Sequence, residues 1–209
     1  MDFAAERIAM VEVGRRLYSR GLINGGEGNL SCRIGDRLLC TPAGVNKGFL
    51  DGAQLVVTDL RGKPLGDGRP SSELLLHLAC YEARPSCVAV VHAHPPHAVA
   101  LTLAKEPLLA CMPEAVTALG DVPTVPYATP GTNRVADAAR PYLRDADCVL
   151  LERHGAVCMG FRGLFEACDA MEMVEGVARI QLLALQRCRP EALSAEERAE
   201  LSKQRGPRR

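Results

Sequence analysis

The 209-residue chain has no tryptophan, only four phenylalanines and four tyrosines, and 25 basic residues matched by 25 acidic ones. So few rings leave no platform for stacking bases, and a formal charge of zero leaves no basic stripe, so a nucleic-acid surface is excluded. The basic ending, Lys203 to Arg209, is the one local bias and reads as a solvated tail. No apolar run reaches the roughly 18 residues of a membrane span. Asp2, Glu6 and Arg7 break any apolar core at the start, so no signal peptide is expected and the protein is read as cytoplasmic. There is no CxxC pair either. The nine cysteines are odd in number and sit among apolar neighbours, as in PSCVAVV and ADCVLLE, which points to small buried residues rather than disulfides or a zinc finger.

What is present is 47% hydrophobic sequence without internal repeat or linker, enough for a single domain over residues 1–209, with a flexible tail from about 190. A helix is expected from Ala4 to Tyr18 with Ile8, Val11 and Tyr18 on its apolar stripe. INGGEGNLSCRI and GDRLLCTP read as a hairpin, and QLVVTDLRGKPL as a further strand and turn. Ser71 and Ser72 can cap a helix from Glu73 to about Arg84, and Cys87 to His92 reads as a buried strand stopped by Pro95-Pro96. Helices follow from His97 to about Lys105, within AVTALG, and from Thr132 as cap to Leu143. Two short strands flank His154-Gly155. A long helix from Gly163 to about Arg187 carries Leu164, Cys168, Met171, Val174, Ala178 and Leu182 on one face, and Ser194 to Lys203 forms a last one. Because helices and strands mix without strict alternation, the expected fold is a three-layer α/β domain with a central mixed, largely antiparallel sheet flanked by helices.

Three of the five histidines fall in VVHAHPPHAV, at 92, 94 and 97. Residues two apart in a strand face one side, so His92 and His94 project together from a strand end. Two buried imidazoles need partners, and a divalent cation satisfies both. An HxH pair alone also suits two histidines satisfied by the protein. A catalytic zinc takes three protein ligands and keeps an open position, and His154, ending a second apolar strand, is the best third. Gly155 then allows a tight turn or a close backbone approach. His77, inside a helix, reads as structural, and His97 as lining the pocket or capping its helix. Glu73 is the acidic candidate, although an acid at a helix start also suits the dipole. GGEGN (25–29) and TPAG (41–44) offer unhindered backbone amides, and PSSE (70–73) two hydroxyls at a helix start, together a plausible anion cradle.

In order and spacing, GEGNLS, TPAG, RPSSE, VVHAHPPHAVAL, PYATPGT and LLERHGAVCMG resemble the class II aldolase and adducin head family, over most of the chain. The resemblance implies Zn2+, or Mn2+, Co2+ or Fe2+, on His92, His94 and His154, with Glu73 as acid/base. It also implies a substrate phosphate at Gly28, Asn29, Gly44, Ser71 and Ser72, and a homotetramer with active sites at subunit interfaces. The implied reaction is retro-aldol cleavage of a ketose 1-phosphate, fuculose-1-phosphate-like or 5-deoxypentulose-like, to dihydroxyacetone phosphate and an aldehyde. Related readings are a methylthioribulose 1-phosphate dehydratase, whose corresponding segment GVNKGFL resembles, and a pentulose phosphate epimerase, disfavoured because those enzymes tend to carry aspartate at position 73. A non-catalytic adducin-like module would be expected to lose the metal ligands. The chain departs from the aldolases at Ala43, where many have a hydroxyl. ACMPEAVTALG also lacks the tyrosine that fuculose phosphate aldolase uses as proton donor; Glu114 there has an ordinary explanation as a helix-start acid.

Overall fold

The computed structural model describes residues 3–204. In chain order the elements are α1 (Ala4–Ser19), β1 (Asn29–Ile34), β2 (Arg37–Cys40), β3 (Val56–Asp59), α2 (Leu74–Ala83), β4 (Ala89–Ala93), α3 (Pro96–Leu103), α4 (Pro113–Ala118), β5 (Thr124–Val125), α5 (Asn133–Leu143), β6 (Cys148–Leu151), β7 (Gly155–Gly160), α6 (Leu164–Leu185) and α7 (Ala195–Gln204). The strands form one seven-stranded sheet in the order β3-β2-β1-β4-β7-β6-β5. Every pairing is antiparallel except β5 with β6. The expected mixed, three-layer architecture is therefore observed.

Alternation along the strands builds two cores. On one face Leu30, Val91, Leu150 and Cys158 pack with Met10, Val13 and Leu17 of α1, Leu101 of α3 and Met171 of α6. On the other, Leu38, Val90, Val149 and Val157 pack with Leu76 and Cys80 of α2 and Val135 and Ala139 of α5. In β4, Ala89, Val91 and Ala93 belong to the first face, so His92 falls on the α2 side. Seven of the nine cysteines are buried, as the sequence suggests. Burial pushes the thiols of Cys32, Cys40 and Cys87 up to about 12, which keeps them inert.

Helix α1 forms where expected but turns a different face inward. Ile8 is 69% and Tyr18 38% exposed, while Met10, Val13, Gly14 and Leu17 are buried. Both stripes are apolar, and Gly14 decides between them: a Cβ there would lie 2.5 Å from the carbonyl oxygen of Lys47, so only a glycine face lets α1 rest on that backbone. Thr132 stands at the N-cap of α5, but its hydroxyl donates to Thr129 O (2.7 Å) instead of capping the helix. Helix α7 rests near α4, with Leu193 N donating to Ala110 O and Arg198 paired with Asp121. Residues 205–209, most of the expected basic tail, lie outside the described residues.

Candidate metal centre

The sheet's central strand brings the first two imidazoles together. His92 Nδ1 lies 2.9 Å from Ala156 O on β7, so that nitrogen donates and Nε2 carries the free lone pair. His94 follows the strand end, its N–H bound to Leu22 O at 2.8 Å, and its Nε2 comes 3.1 Å from His92 Nε2. His154 enters from the turn between β6 and β7. Its N–H closes that turn on Leu151 O at 3.0 Å, while Arg153 is held left-handed at φ 59° with its amide bound to Thr102 Oγ1 of α3 at 2.9 Å. Gly155 is needed for a close approach, as expected, but to β4 rather than to a metal: a Cβ would meet Ala93 O at 2.3 Å and His94 Cδ2 at 3.0 Å.

The three ring centroids form a nearly equilateral triangle with sides of 5.0, 4.8 and 5.0 Å. Glu73, at the N-terminus of α2, closes the group: Oε2 lies 3.1 Å from His92 Nε2 and Oε1 3.2 Å from His154 Nε2. One ligand atom from each of these four residues lies within 4.8 Å of every other. Nitrogens bound tetrahedrally at about 2.05 Å from zinc sit roughly 3.3 Å apart, so the His92–His94 spacing suits a shared ion. Among the described residues, Glu73 Oε1 and His154 Nδ1 are buried with no hydrogen-bond partner. Burial, then His92 and His154, push His94 down to about 4, which leaves it neutral and ligand-competent at neutral pH. Burial opposes ionisation of Glu73, but His154 and His92 prevail and hold its carboxyl well below the usual range. Three imidazoles and an ionised carboxylate sharing one small volume fit a divalent transition metal.

Polar rungs from β1 position α2, and with it Glu73. Asn29 Nδ2 donates to Glu73 Oε2 (3.1 Å). Two residues along, Ser31 Oγ is 2.7 Å from both His77 Nδ1 and Tyr81 OH. His77 is thus structural, as expected; burial, with His92, pushes it down to about 3, so it stays neutral. Asn29, expected at the phosphate, has its amide nitrogen engaged by the carboxylate. His97 caps α3 through another residue: Glu175 of α6 accepts from His97 N, Ala98 N and His97 Nδ1, the last at 2.6 Å.

The expected cradle segments are contiguous. A Cβ on Gly26 would lie 3.7 Å from Gly44, one on Gly131 3.8 Å from Ser72 Oγ, and one on Gly28 (φ 66°) 2.9 Å from His92 O. Ala43 N donates to Arg69 O (3.0 Å) and Ser71 N to Thr41 O (3.1 Å), lacing the second turn to the third. The Ala43 amide is therefore engaged rather than free, and the left-handed Gly44 faces open space. Ser71 Oγ accepts from Glu73 N (3.3 Å), as a cap would, while Ser72 is exposed. Gly131 and the buried Lys47 also stand here. Gly131 lay within the PYATPGT motif without a role, whereas a lysine in a polar loop gives no sequence signal of burial.

The fold is that of the class II aldolases, and the cluster is a group of four side chains able to hold a metal ion. The family described as Class II Aldolase and Adducin N-terminal domain matches residues 8–182, and the chain belongs to it. It is 36% identical over 189 residues to the 3-oxo-tetronate 4-phosphate decarboxylase of Haemophilus influenzae, covering 86% of this chain and 88% of that one. With the L-fuculose phosphate aldolase of Methanocaldococcus jannaschii it shares 32% identity, over 84% of this chain and 94% of the relative. Among solved structures it resembles YgbL of Klebsiella pneumoniae, described as a putative aldolase/epimerase/decarboxylase, with TM-score 0.89, 35% identity and coverage of 96% and 99%.

Proposed function

We propose that the protein is a divalent-metal-dependent enzyme that breaks a carbon–carbon bond in a small phosphorylated sugar derivative, by decarboxylating a 3-oxo-tetronate 4-phosphate. The observation that carries the reading is the convergence of His92, His94, His154 and Glu73 beside three laced turns. His92, His94 and His154 would hold the ion, zinc being the expected one. Once bound, the cation supplies Lewis-acid stabilisation of oxygen charge.

In the decarboxylation, the bond between C1 and C2 breaks, its electron pair moves onto the C3 oxygen, carbon dioxide leaves, and C2 takes a proton. Retro-aldol cleavage of a ketose 1-phosphate reaches the same enediolate of dihydroxyacetone phosphate, but the leaving aldehyde must also surrender a hydroxyl proton. Carbon dioxide leaves with no such transfer. A tyrosine that donates this proton in the condensation direction would accept it in cleavage, so the absence of a tyrosine from residues 110–120 favours decarboxylation, as does the likeness to a named decarboxylase. Glu73 is the group placed to deliver the proton to carbon. Gly28, Asn29, Gly44, Ser71 and Ser72 would bind the phosphate and fix the reacting carbon beside Glu73.

Retro-aldol cleavage is the second reading, favoured by the likeness to a fuculose phosphate aldolase. Incubating metal-loaded protein with the 3-oxo acid phosphate and a panel of ketose 1-phosphates, with carbon dioxide and aldehyde measured separately, decides between them. Glu73→Gln should retain metal yet lower turnover about a hundredfold or more; near-normal turnover would remove Glu73 from its role. A cytoplasmic homotetramer with active sites at subunit interfaces is part of the same proposal, tested by light scattering on the purified protein.

A further inference from the structure

Lys47 is 2% exposed and, among the described residues, the one lysine or arginine in the buried set. Its root is fixed. The Asn46 side chain accepts from Gly48 N (2.9 Å), capping the short 3-10 turn that Lys47 begins, and Gly14 of α1 packs directly on the Lys47 carbonyl. From there the side chain reaches the glycine-rich turn, where Nζ donates to Gly26 O at 2.7 Å. That is its one hydrogen bond among the described residues, and no ion pair there includes it, whereas an ammonium carries three N–H donors. A buried charge left without a counter-charge is unfavourable, and burial indeed draws the Lys47 ammonium below its usual range, with Glu73 the one group opposing that trend.

The surroundings say what would complete it. Gly26, whose carbonyl Lys47 holds, adjoins Gly44, and open space stands where a Gly44 side chain would be. The candidate cradle residues Gly28, Gly44, Ser71 and Ser72 are all uncharged, and the nearby carboxylate of Glu73 repels an anion. We propose that Lys47 supplies the buried positive charge that receives the anionic phosphate end of the substrate, from behind the turn at Gly26. The inference rests on the phosphorylated-substrate reading above and extends it to a residue given no role in the sequence reading. A fixed cation favours an anion at the adjoining turns and falls off with distance, so it discriminates phosphorylated from unphosphorylated ligands.

The test is calorimetric titration of the full-length, metal-loaded protein with inorganic phosphate, dihydroxyacetone phosphate and unphosphorylated dihydroxyacetone. Lys47→Gln keeps a donor for Gly26 O and drops the charge; Lys47→Arg keeps the charge. Lys47→Gln should weaken both phosphate ligands about tenfold or more and leave dihydroxyacetone unchanged, with Lys47→Arg within about threefold of wild type. A Lys47→Gln protein that melts earlier yet binds phosphate like wild type shows a mere brace and overturns the proposal. Should that variant fail to fold, wild-type protein labelled with 13C at lysine Cε answers instead. Phosphate must shift the Lys47 signal, assigned by its loss in Lys47→Arg, and an unmoved signal refutes the idea. Lys47-dependent phosphate binding in a protein that cleaves neither substrate class would sink the reaction assignment alone; cleavage with phosphate binding unchanged in Lys47→Gln would sink this inference alone.

Discussion

Replacing Gly155 by alanine tests whether the packing of two strands sets the metal geometry. The added methyl would sit 2.3 Å from Ala93 O and 3.0 Å from His94 Cδ2, where ordinary contact begins near 3.4 Å, so β4 and β7 must separate by about 1 Å. Neither neighbour yields easily: Ala93 is a fully buried residue of the central strand, and His94 is tied by its amide to Leu22 O. Overpacking of this kind destabilises by roughly 1–3 kcal/mol, a drop of about 2–12 °C in Tm at this chain length. The larger consequence falls on the site. His94 and His154 approach from opposite sides of the strained contact, with ring centroids 5.0 Å apart. Metal–ligand distances tolerate about 0.2 Å, so a separation several times larger removes one imidazole from the shared position. Zinc affinity, measured by competition with a chromophoric chelator at a temperature where the variant remains folded, should fall about a hundredfold or more. A Gly155→Ala protein that keeps wild-type zinc affinity would refute the argument that this glycine sets the ligand spacing, whatever its Tm.

Two further outcomes follow from the same geometry. Ser71→Ala with Ser72→Ala should raise KM for phosphorylated substrates by about tenfold or more while barely affecting unphosphorylated analogues; an equal loss on both would count against a phosphate at these hydroxyls. His77, held neutral because burial draws its pKa from the ordinary 6.5 down to about 3, binds a proton in the unfolded chain but not in the fold between those limits. Stability should therefore fall as pH drops from about 6.5 towards 3, and His77→Gln should reduce the slope of unfolding free energy by up to about 1.4 kcal/mol per pH unit. Urea denaturation across that range measures it, and identical slopes would show that His77 already titrates in the native state.

The convergence of the histidines was legible because period-two alternation is a local rule: it carries from β4 through the residue just past its end, so His92 and His94 meet, and a glycine beside His154 marks a second close approach. The inward face of α1 was not, since Ile8 and Met10 lie on competing apolar stripes and the choice rests with the backbone of residue 47, far along the chain. The same holds for the engaged Ala43 amide, whose acceptor is Arg69 O, and for the burial of Lys47, which depends on Gly14 and Gly26. Properties fixed by a residue and its immediate neighbours could be read; those fixed by contacts between distant turns could not.

The placement of Asn29 shows how that division bears on chemistry. In the register of the sheet Asn29 lies opposite His92, so one strand pairing sets both an imidazole of the histidine cluster and the amide that holds the Glu73 carboxylate. Ser31, the next residue on that face, bonds His77 one helical turn beyond Glu73, so α2 is tied to β1 at two successive levels. A one-residue slip between β1 and β4 would turn Asn29 and Ser31 to the opposite face, which couples the position of Glu73 to that of the histidines through backbone hydrogen bonds. On the proposed reading, features at the margin of such a frame, for instance the lack of a tyrosine in residues 110–120 and the lysine at 47, bear on which bond breaks and which substrate enters without touching the histidine cluster itself.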